Sequence, residues 1–169
     1  GSPEATTMNC RWLGKLCLAL ACTLAAPAAQ PQLITKKALS LDAARTMAAA
    51  AEAYARKNNW SVTLAILDDG GHLLYFQRMD GVNIGAIEVC LRKAESAVKF
   101  KRAGKVFAGR IAGEPQVMVI PGAFPFEGGL PIVAGGEVIG GIGVSGATAE
   151  QDAMIAQAGL DALEKLVGK

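Results

Sequence analysis

The sequence predicts an α+β domain in which an antiparallel sheet of about five strands is flanked by helices. Two pairs of strand-forming segments are each joined by a short glycine-containing turn, at residues 68–71 and 135–136, which is the pattern of β-hairpins. Segments with helical spacing of apolar residues precede, separate and follow these pairs, giving the order α-β-β-α-β-β-β-α. Tight hairpins argue against an alternating parallel fold, because parallel strands need long crossovers.

The first helix is predicted to begin after Ser40 and to end near Lys57. Apolar residues recur along it at the spacing of one helix face, and two asparagines follow it. Residues 62–67 and 72–77 are rich in strand formers, and the sequence Asp-Asp-Gly-Gly at 68–71 separates them. These segments predict the first hairpin.

The middle of the chain predicts a second helix, a strand and a loop. Over residues 84–101 the apolar and charged side chains segregate to opposite helix faces. After a basic stretch, residues 116–120 have the composition of a strand. Residues 121–129 are rich in proline and glycine and lack periodicity, which predicts a loop.

The last part of the chain predicts a second hairpin and a C-terminal helix. Its strands are residues 131–134 and 138–144, and glycines inside the second strand indicate close packing of a helix on the sheet. Their spacing in residues 140–146 fits neither a phosphate-binding loop nor a dinucleotide fingerprint. Thr148 and Gln151 form a capping-box sequence at the start of the helix.

The N-terminal part of the chain is interpreted as an export signal. Residues 1–7 have the composition of an expression-tag remnant, and residues 8–29 combine two positive charges, an apolar run and a small-residue exit. The run is too short to span a membrane. Residues 30–39 are predicted as a short linker and residues 40–169 as the folded domain. We therefore expect a periplasmic or secreted protein with no membrane span after cleavage.

Chain length, net charge and cysteine content limit what the protein is expected to bind and how it is stabilised. The 169 residues are enough for one domain, and a net charge of +2 gives no sign of a nucleic-acid partner. Of the four cysteines, only Cys90 lies outside the predicted signal. The mature chain is therefore expected to hold no intrachain disulfide and no multi-cysteine metal site. Packing and self-association are expected to stabilise it.

Polar residues after the second strand and on the second helix are candidates for binding a ligand. Arg78 and Asp80 either close a strand-end turn as an ion pair or face a cleft, where Arg78 could grip a carboxylate through two hydrogen bonds. Lys93 either adds charge to the same cleft or lies on a solvated helix face. Both alternatives stay open for each residue.

The Pro/Gly-rich loop adds Phe124 and Glu127 to the ligand-binding candidates, because aromatic and acidic residues on such loops line pockets or oligomer contacts. The sequence offers no convincing catalytic nucleophile. Ser145 has no obvious base beside it, and Cys90 is expected to be a buried structural thiol. Asp80 and Glu127 are therefore the candidate catalytic groups.

His72 is the single histidine and lies beside the first turn. It is either a solvated turn residue or an axial ligand of haem iron. One histidine cannot build a zinc site of the usual type, and no Cys-x-x-Cys-His motif is present for covalent haem, so no metal site is predicted and any haem would be held non-covalently. Met79 and Met118 are poorer candidates for the haem ligand.

Short motifs from about Ser40 to Leu163 together resemble those of the GlcG/HbpS family. They are Gly71-His72-Leu73, residues 76–81, Lys93-Ala94, Pro131-Ile132, residues 140–146 and Gln151-Asp152. The resemblance implies a profilin-like fold and homo-oligomers from dimers up to octamers. It also implies haem binding in some relatives and no established activity in others.

The same resemblance marks a set of polar residues. The family's recurrent polar motif positions are occupied here by Arg78, Asp80, Lys93, Glu127 and Asp152. It implies no ligand for haem iron, because family members do not share one ligand motif.

The leading hypothesis is an exported, non-catalytic protein that binds haem or a small carboxylate-bearing ligand. The cleft is expected between the turn at 78–81, the loop at 121–130 and the helix at 84–101. One alternative is an isomerase, lyase or hydrolase acting on a small organic acid, with Asp80 or Glu127 as general base and Arg78 holding the substrate. The other is a structural oligomer.

Overall fold

The computed structural model describes Gly1, Ser2 and residues 32–168. The predicted signal peptide at 8–29 lies outside the described residues, so export stays a prediction. From Lys36 onwards the chain forms one compact unit. No helix among the described residues is long and apolar enough to cross a membrane.

The structure confirms the predicted fold class. In chain order the elements are helix α1 (Leu41–Lys57), strands β1 (Thr63–Asp68) and β2 (Leu73–Arg78), helices α2 (Gly85–Phe100) and α3 (Gly104–Ala108), a 3₁₀ helix (Pro115–Val119), strands β3 (Gly129–Ala134) and β4 (Glu137–Ser145), and helix α4 (Ala149–Val167). The four strands form one sheet in the order β2-β1-β4-β3, and every neighbouring pair is antiparallel. The edge strands are β2 and β3, and β3 contains Pro131, which is a position where a sheet tolerates proline.

Local sequence explains the predicted hairpins and helix ends. Gly71 has a φ of 81° at the β1–β2 turn, a left-handed conformation that glycine adopts without steric cost. Ser40 caps α1 by accepting a hydrogen bond from the Ala43 N–H. At the start of α4, Thr148 and Gln151 form the predicted capping box, each side chain accepting from the other residue's backbone N–H.

Helices cover both faces of the sheet. Helix α2 packs on one face, against β1, β3 and β4, whereas α1 and α4 lie on the other and pack against each other. The main core lies under α1 and α4, where Ile66, Ile142 and Ile155 are fully buried against Met47. The core under α2 is smaller and consists of Leu67, Ala94 and Val98, with Leu91 partly buried against them.

Glycines in β4 allow α2 to approach the sheet closely. A Cβ added to Gly143 would lie 2.0 Å from the Cys90 carbonyl oxygen and 2.6 Å from the Ala94 nitrogen. At Gly141 it would lie 2.7 Å from the Ala94 carbonyl oxygen. These distances are shorter than any van der Waals contact, so the helix backbone occupies the space of the missing side chains. The prediction of close sheet-to-helix packing at these glycines is confirmed.

The predicted fifth strand at 116–120 is wrong, because this segment is part of the 3₁₀ helix. Pro115 lies at the start of the helix, and the Val117 N–H donates to the Glu114 carbonyl at 3.0 Å. The Ile120 N–H donates to the Val117 carbonyl at 3.3 Å. The backbone thus makes local hydrogen bonds instead of pairing with a strand. Val117, one of the β-branched residues that suggested a strand, is instead buried in a small satellite cluster with Phe107 and Ala123.

We predict that Gly143→Ala destabilises the fold by about 1 to 3 kcal/mol, because α2 must move away from the sheet. Gly113→Ala is the matched control, since a Cβ there meets nothing within 4 Å and its φ is not in the left-handed region. Urea unfolding followed by circular dichroism measures both changes. Equal stability of the two variants would contradict the close packing inferred for β4.

Candidate functional site

A buried ion pair joins α2 to the beginning of α4. Lys93 and Asp152 are each 2% exposed, and the Lys93 Nζ lies 2.7 Å from Asp152 Oδ2. The same ammonium donates to the Val144 carbonyl at 2.9 Å, and Asp152 Oδ1 accepts from the Ala147 N–H at 3.1 Å. Every charged atom of the pair therefore has a hydrogen-bond partner.

Burial raises the pKa of the Asp152 carboxyl, and the Lys93 ammonium and the Ala147 N–H act in the opposite direction. The alternative that Lys93 lies on a solvated helix face is wrong. Because the two side chains bind each other, both predicted ligand-binding residues are already satisfied by the fold.

The loop before β3 lies directly on this pair. Gly128 has a φ of 99°, and a Cβ there would lie 2.7 Å from the Asp152 Cβ and 2.9 Å from the Lys93 Nζ. The Gly128 carbonyl accepts from the Val144 N–H at 2.8 Å. The end of the loop is thus held by the ion pair and by β4.

The aromatic residues of the loop pack on each other and on α2. The rings of Phe124 and Phe126 lie 5.0 Å apart between centroids, and the Arg92 guanidinium lies 5.6 Å from the Phe124 ring centre. The Phe124 N–H donates to the buried Ser96 hydroxyl at 2.9 Å. Phe124 is therefore a half-buried anchor of the loop, while Phe126 is exposed to solvent.

Glu127 lines a shallow pocket of about 370 Å³ beside α4. Lys105 on α3 and Glu150 and Met154 on α4 line the same pocket. The lining of this pocket therefore carries positive charge from Lys105 and negative charge from Glu127. Lys105 was not among the predicted site residues, because it belongs to a basic stretch with no distinctive spacing.

Arg78 and Asp80 lie at the end of β2, whereas Glu127 precedes β3, and these two strands are the opposite edges of the sheet. Arg78 and Asp80 are both exposed, and Met79 between them is buried in the main core. Among the described residues, neither takes part in a salt bridge, so the predicted Arg–Asp pair is not formed there. Gly81, which follows Asp80, lines a second pocket that is separate from the pocket of Glu127.

This second pocket has a volume of about 400 Å³, and neutral polar groups dominate its wall. Its lining residues come from three segments, which are residues 59–61, 81–83 and 146–147, together with Gln151 of the α4 cap. The two pockets border the first turns of α4 at different positions. The structure therefore divides the predicted polar residues among the ion pair, the Glu127 pocket and the surface end of β2.

The candidate nucleophiles are unsuited to catalysis as the structure places them. Cys90 is fully buried and donates through its Sγ to the Ile87 carbonyl at 3.1 Å, and burial raises the pKa of its thiol. Ser145 is buried at the end of β4, where its carbonyl accepts from the Thr63 hydroxyl at 3.1 Å. A protonated, enclosed thiol is a poor nucleophile.

His72 lies at the surface of the β1–β2 turn. Its side chain is 84% exposed, and its Nδ1 lies 3.5 Å from Asp68 Oδ1. The ring lies over Gly70, where a Cβ would be 2.8 Å from Nδ1. Asp68 also accepts from the Gly70 and His72 N–H groups at 2.9 Å each. These hydrogen bonds lower the pKa of the Asp68 carboxyl, His72 being the main donor.

This arrangement leaves Nε2 of His72 open to a ligand. Histidines that bind metals commonly direct their other nitrogen to a carboxylate, which orients the ring. Asp68 was not predicted in this role, although its position four residues before His72, across a Gly-Gly turn, was a usable signal. Of the alternative haem ligands, Met79 is buried, whereas Met118 is exposed on the 3₁₀ helix.

Comparisons with known proteins agree with the resemblance seen in the motifs. Residues 39–161 match the family model described as haem degrading protein HbpS-like. Over 112 residues the chain is 40% identical to protein GlcG of Escherichia coli strain K12, which covers 66% of this chain and 84% of GlcG.

Solved structures extend the comparison to the fold. A crystal structure of a double mutant of HbpS from Streptomyces reticuli has 33% identity and a TM-score of 0.73, covering 87% of this chain and 100% of that one. The crystal structure of a PduOC:heme complex has 27% identity and a TM-score of 0.68, covering 75% of this chain and 95% of that one.

We predict that Asp152→Asn destabilises the protein by about 3 to 5 kcal/mol, because it leaves the buried Lys93 ammonium without a counter-charge. Replacing both partners, as in Lys93→Met with Asp152→Leu, is expected to recover most of this loss and to remain short by about 1 kcal/mol, since the Ala147 N–H loses its acceptor. Denaturant unfolding of the three proteins measures the free energies.

Asp161→Asn is the control for this pair, because Asp161 is an exposed carboxylate on the same helix and accepts from Gln157. Its expected change is within about 0.5 kcal/mol. Comparable losses for Asp152→Asn and Asp161→Asn would contradict the role given to the buried pair.

Proposed function

This chain belongs to the HbpS-like family, and we propose that it is a haem-binding protein in which His72 supplies the axial ligand. The observation that carries the proposal is the likeness to PduOC, which was crystallised with heme. The family description names haem degradation. A protein that degrades haem and a protein that only stores it must both first bind it.

The chemistry of the turn at His72 supports this role. A haem ligand needs an accessible imidazole nitrogen, and His72 is exposed while Asp68 lies beside its other nitrogen. Gly70 leaves room for the ring, and Leu73, next in the chain, is 56% exposed and offers apolar surface to a porphyrin. The residues at this turn therefore fit a non-covalent haem bound through Nε2. Haem would supply the iron and the redox chemistry, while the turn would hold and orient it.

Haem titration followed at the Soret band tests the proposal. We expect a saturable shift for the natural sequence and at least a tenfold weaker affinity, with an altered spectrum, for His72→Ala. Met118→Leu is the matched control, because it removes the other exposed candidate ligand, and it should leave the spectrum unchanged. Asp68→Asn should keep the Soret band but weaken binding, since the carboxylate no longer orients the ring.

Two results would contradict the proposal. Absence of a saturable shift in the natural sequence would reject haem binding, and an unchanged spectrum in His72→Ala would reject His72 as the ligand. With ascorbate in air, a persistent Soret band would favour storage and a decaying band would favour degradation.

The proposal includes export to the periplasm or the medium, which rests on the charged, apolar and small-residue regions within residues 8–29. N-terminal sequencing of the protein recovered from its own host tests this. A mature protein beginning near residue 29 or 30 is expected, and a start at Met8 would reject the signal.

A further inference from the structure

A satellite cluster between α2 and β3 carries exposed apolar side chains around its outer surface. Phe107, Val117 and Ala123 form the buried centre of this cluster, and Phe100 and Ile120 pack against it. Three apolar residues beside these in the chain, and one on the following loop, are exposed to solvent. They are Val106 at 44% exposure, Met118 at 63%, Val119 at 79% and Phe126 at 51%.

The segments that carry these exposed side chains are in contact with each other. A Cβ added to Gly104, at the start of α3, would lie 2.1 Å from the Phe126 carbonyl oxygen, so α3 rests on the aromatic loop. The 3₁₀ helix joins the same cluster through Val117. Exposed apolar side chains grouped on neighbouring segments are a feature of interaction sites on folded proteins.

Cations border the apolar surface. Lys101, Arg102 and Lys105 are exposed, and none of them takes part in a salt bridge within residues 32–168. Arg102 is held by the Phe107 ring, whose centre lies 5.8 Å from the guanidinium, and by the Phe100 carbonyl at 3.1 Å. The nearby Lys99 and Arg110 are paired with Glu95 and Glu114. Lys105 shares a pocket with two acids, Glu127 and Glu150, so the three unpaired cations exceed these acids by one charge and the border of the patch is weakly positive.

We propose that this α3 patch, made of the four apolar residues and the three unpaired cations, docks on the surface of an anionic phospholipid bilayer. Exposed apolar side chains enter the headgroup region, and lysines and arginines around them bind anionic lipids. Self-association through the same patch would bring like charges together, which disfavours a second copy as its occupant. The inference goes beyond haem binding and does not depend on it.

Both components of the patch should contribute to binding. Removing one cation near a membrane surface lowers the partition coefficient about fivefold, and salt weakens the attraction because the Debye length shortens. A charge introduced at the exposed apolar positions Met118 and Val119 should weaken membrane binding more, since these positions must enter the headgroup region. The expected signature is binding that requires anionic lipid and is lost in high salt.

Hydrogen exchange measured by mass spectrometry on the full chain tests the proposal. Vesicles of phosphatidylcholine with about one third phosphatidylglycerol are compared with vesicles of phosphatidylcholine alone. We expect peptides covering residues 101–120 to gain protection with the anionic vesicles only. This protection should be lost in about 0.5 M salt, roughly five times the ionic strength at which the Debye length is about 10 Å. Because the readout is local, an apolar N-terminal segment that also binds vesicles does not mimic it.

Variants separate the contributions of charge and apolar surface. Lys101→Glu with Lys105→Glu should lower vesicle binding at the patch at least 25-fold, which is two fivefold steps. Met118→Asp with Val119→Asp should abolish the local protection. Lys57→Glu with Lys165→Glu is the matched control, because it makes the same change in net charge on α1 and α4, across the sheet from α2.

Several outcomes would overturn the proposal. These are unchanged exchange at residues 101–120 with anionic vesicles, equal protection by neutral vesicles, and an equal effect of the control charge reversal. A further test is the size of the assembly formed by the Met118→Asp, Val119→Asp variant, measured by light scattering. A smaller assembly than that of the natural sequence would mean that the patch faces a second copy rather than a bilayer.

Discussion

The ion pair between Lys93 and Asp152 is the interaction on which the arrangement of the domain depends. It joins α2 on one face of the sheet to the first turn of α4, and the Lys93 ammonium also holds the end of β4 through Val144. Gly128 lies against the pair because no side chain intervenes. Removing one partner of a buried ion pair is costly, whereas replacing both by apolar side chains is often nearly neutral, so each of these two side chains constrains where the other can lie.

The glycines of β4 set the distance that this ion pair requires. With side chains at positions 141 and 143, α2 would stand further from the sheet and the Lys93 Nζ could no longer reach Val144 and Asp152 together. The small core under α2 and the buried charges are thus linked. The larger core under α1 and α4 supplies most of the apolar burial.

Features fixed by neighbouring residues could be predicted from the sequence, and features fixed by distant ones could not. The two hairpins, the α4 capping box and the class of the fold follow from local turn, cap and periodicity signals. Lys93 and Asp152 lie 59 positions apart, so a solvated helix face was an equally reasonable expectation for Lys93. The strand formers at 116–120 were misleading because Pro115 and the satellite cluster determined their conformation. The placement of Arg78 and Asp80 apart from Glu127 likewise depends on tertiary structure.

Pro131 in the edge strand β3 has a consequence for assembly between chains. Proline provides no N–H, so an incoming strand aligned along the outer edge of β3 would meet a break in its hydrogen-bond ladder. The opposite edge, β2, contains no proline. Continuous sheets across two molecules, whether in a native assembly or in aggregates, are therefore directed toward β2, and the two ends of the sheet are not equivalent for self-recognition.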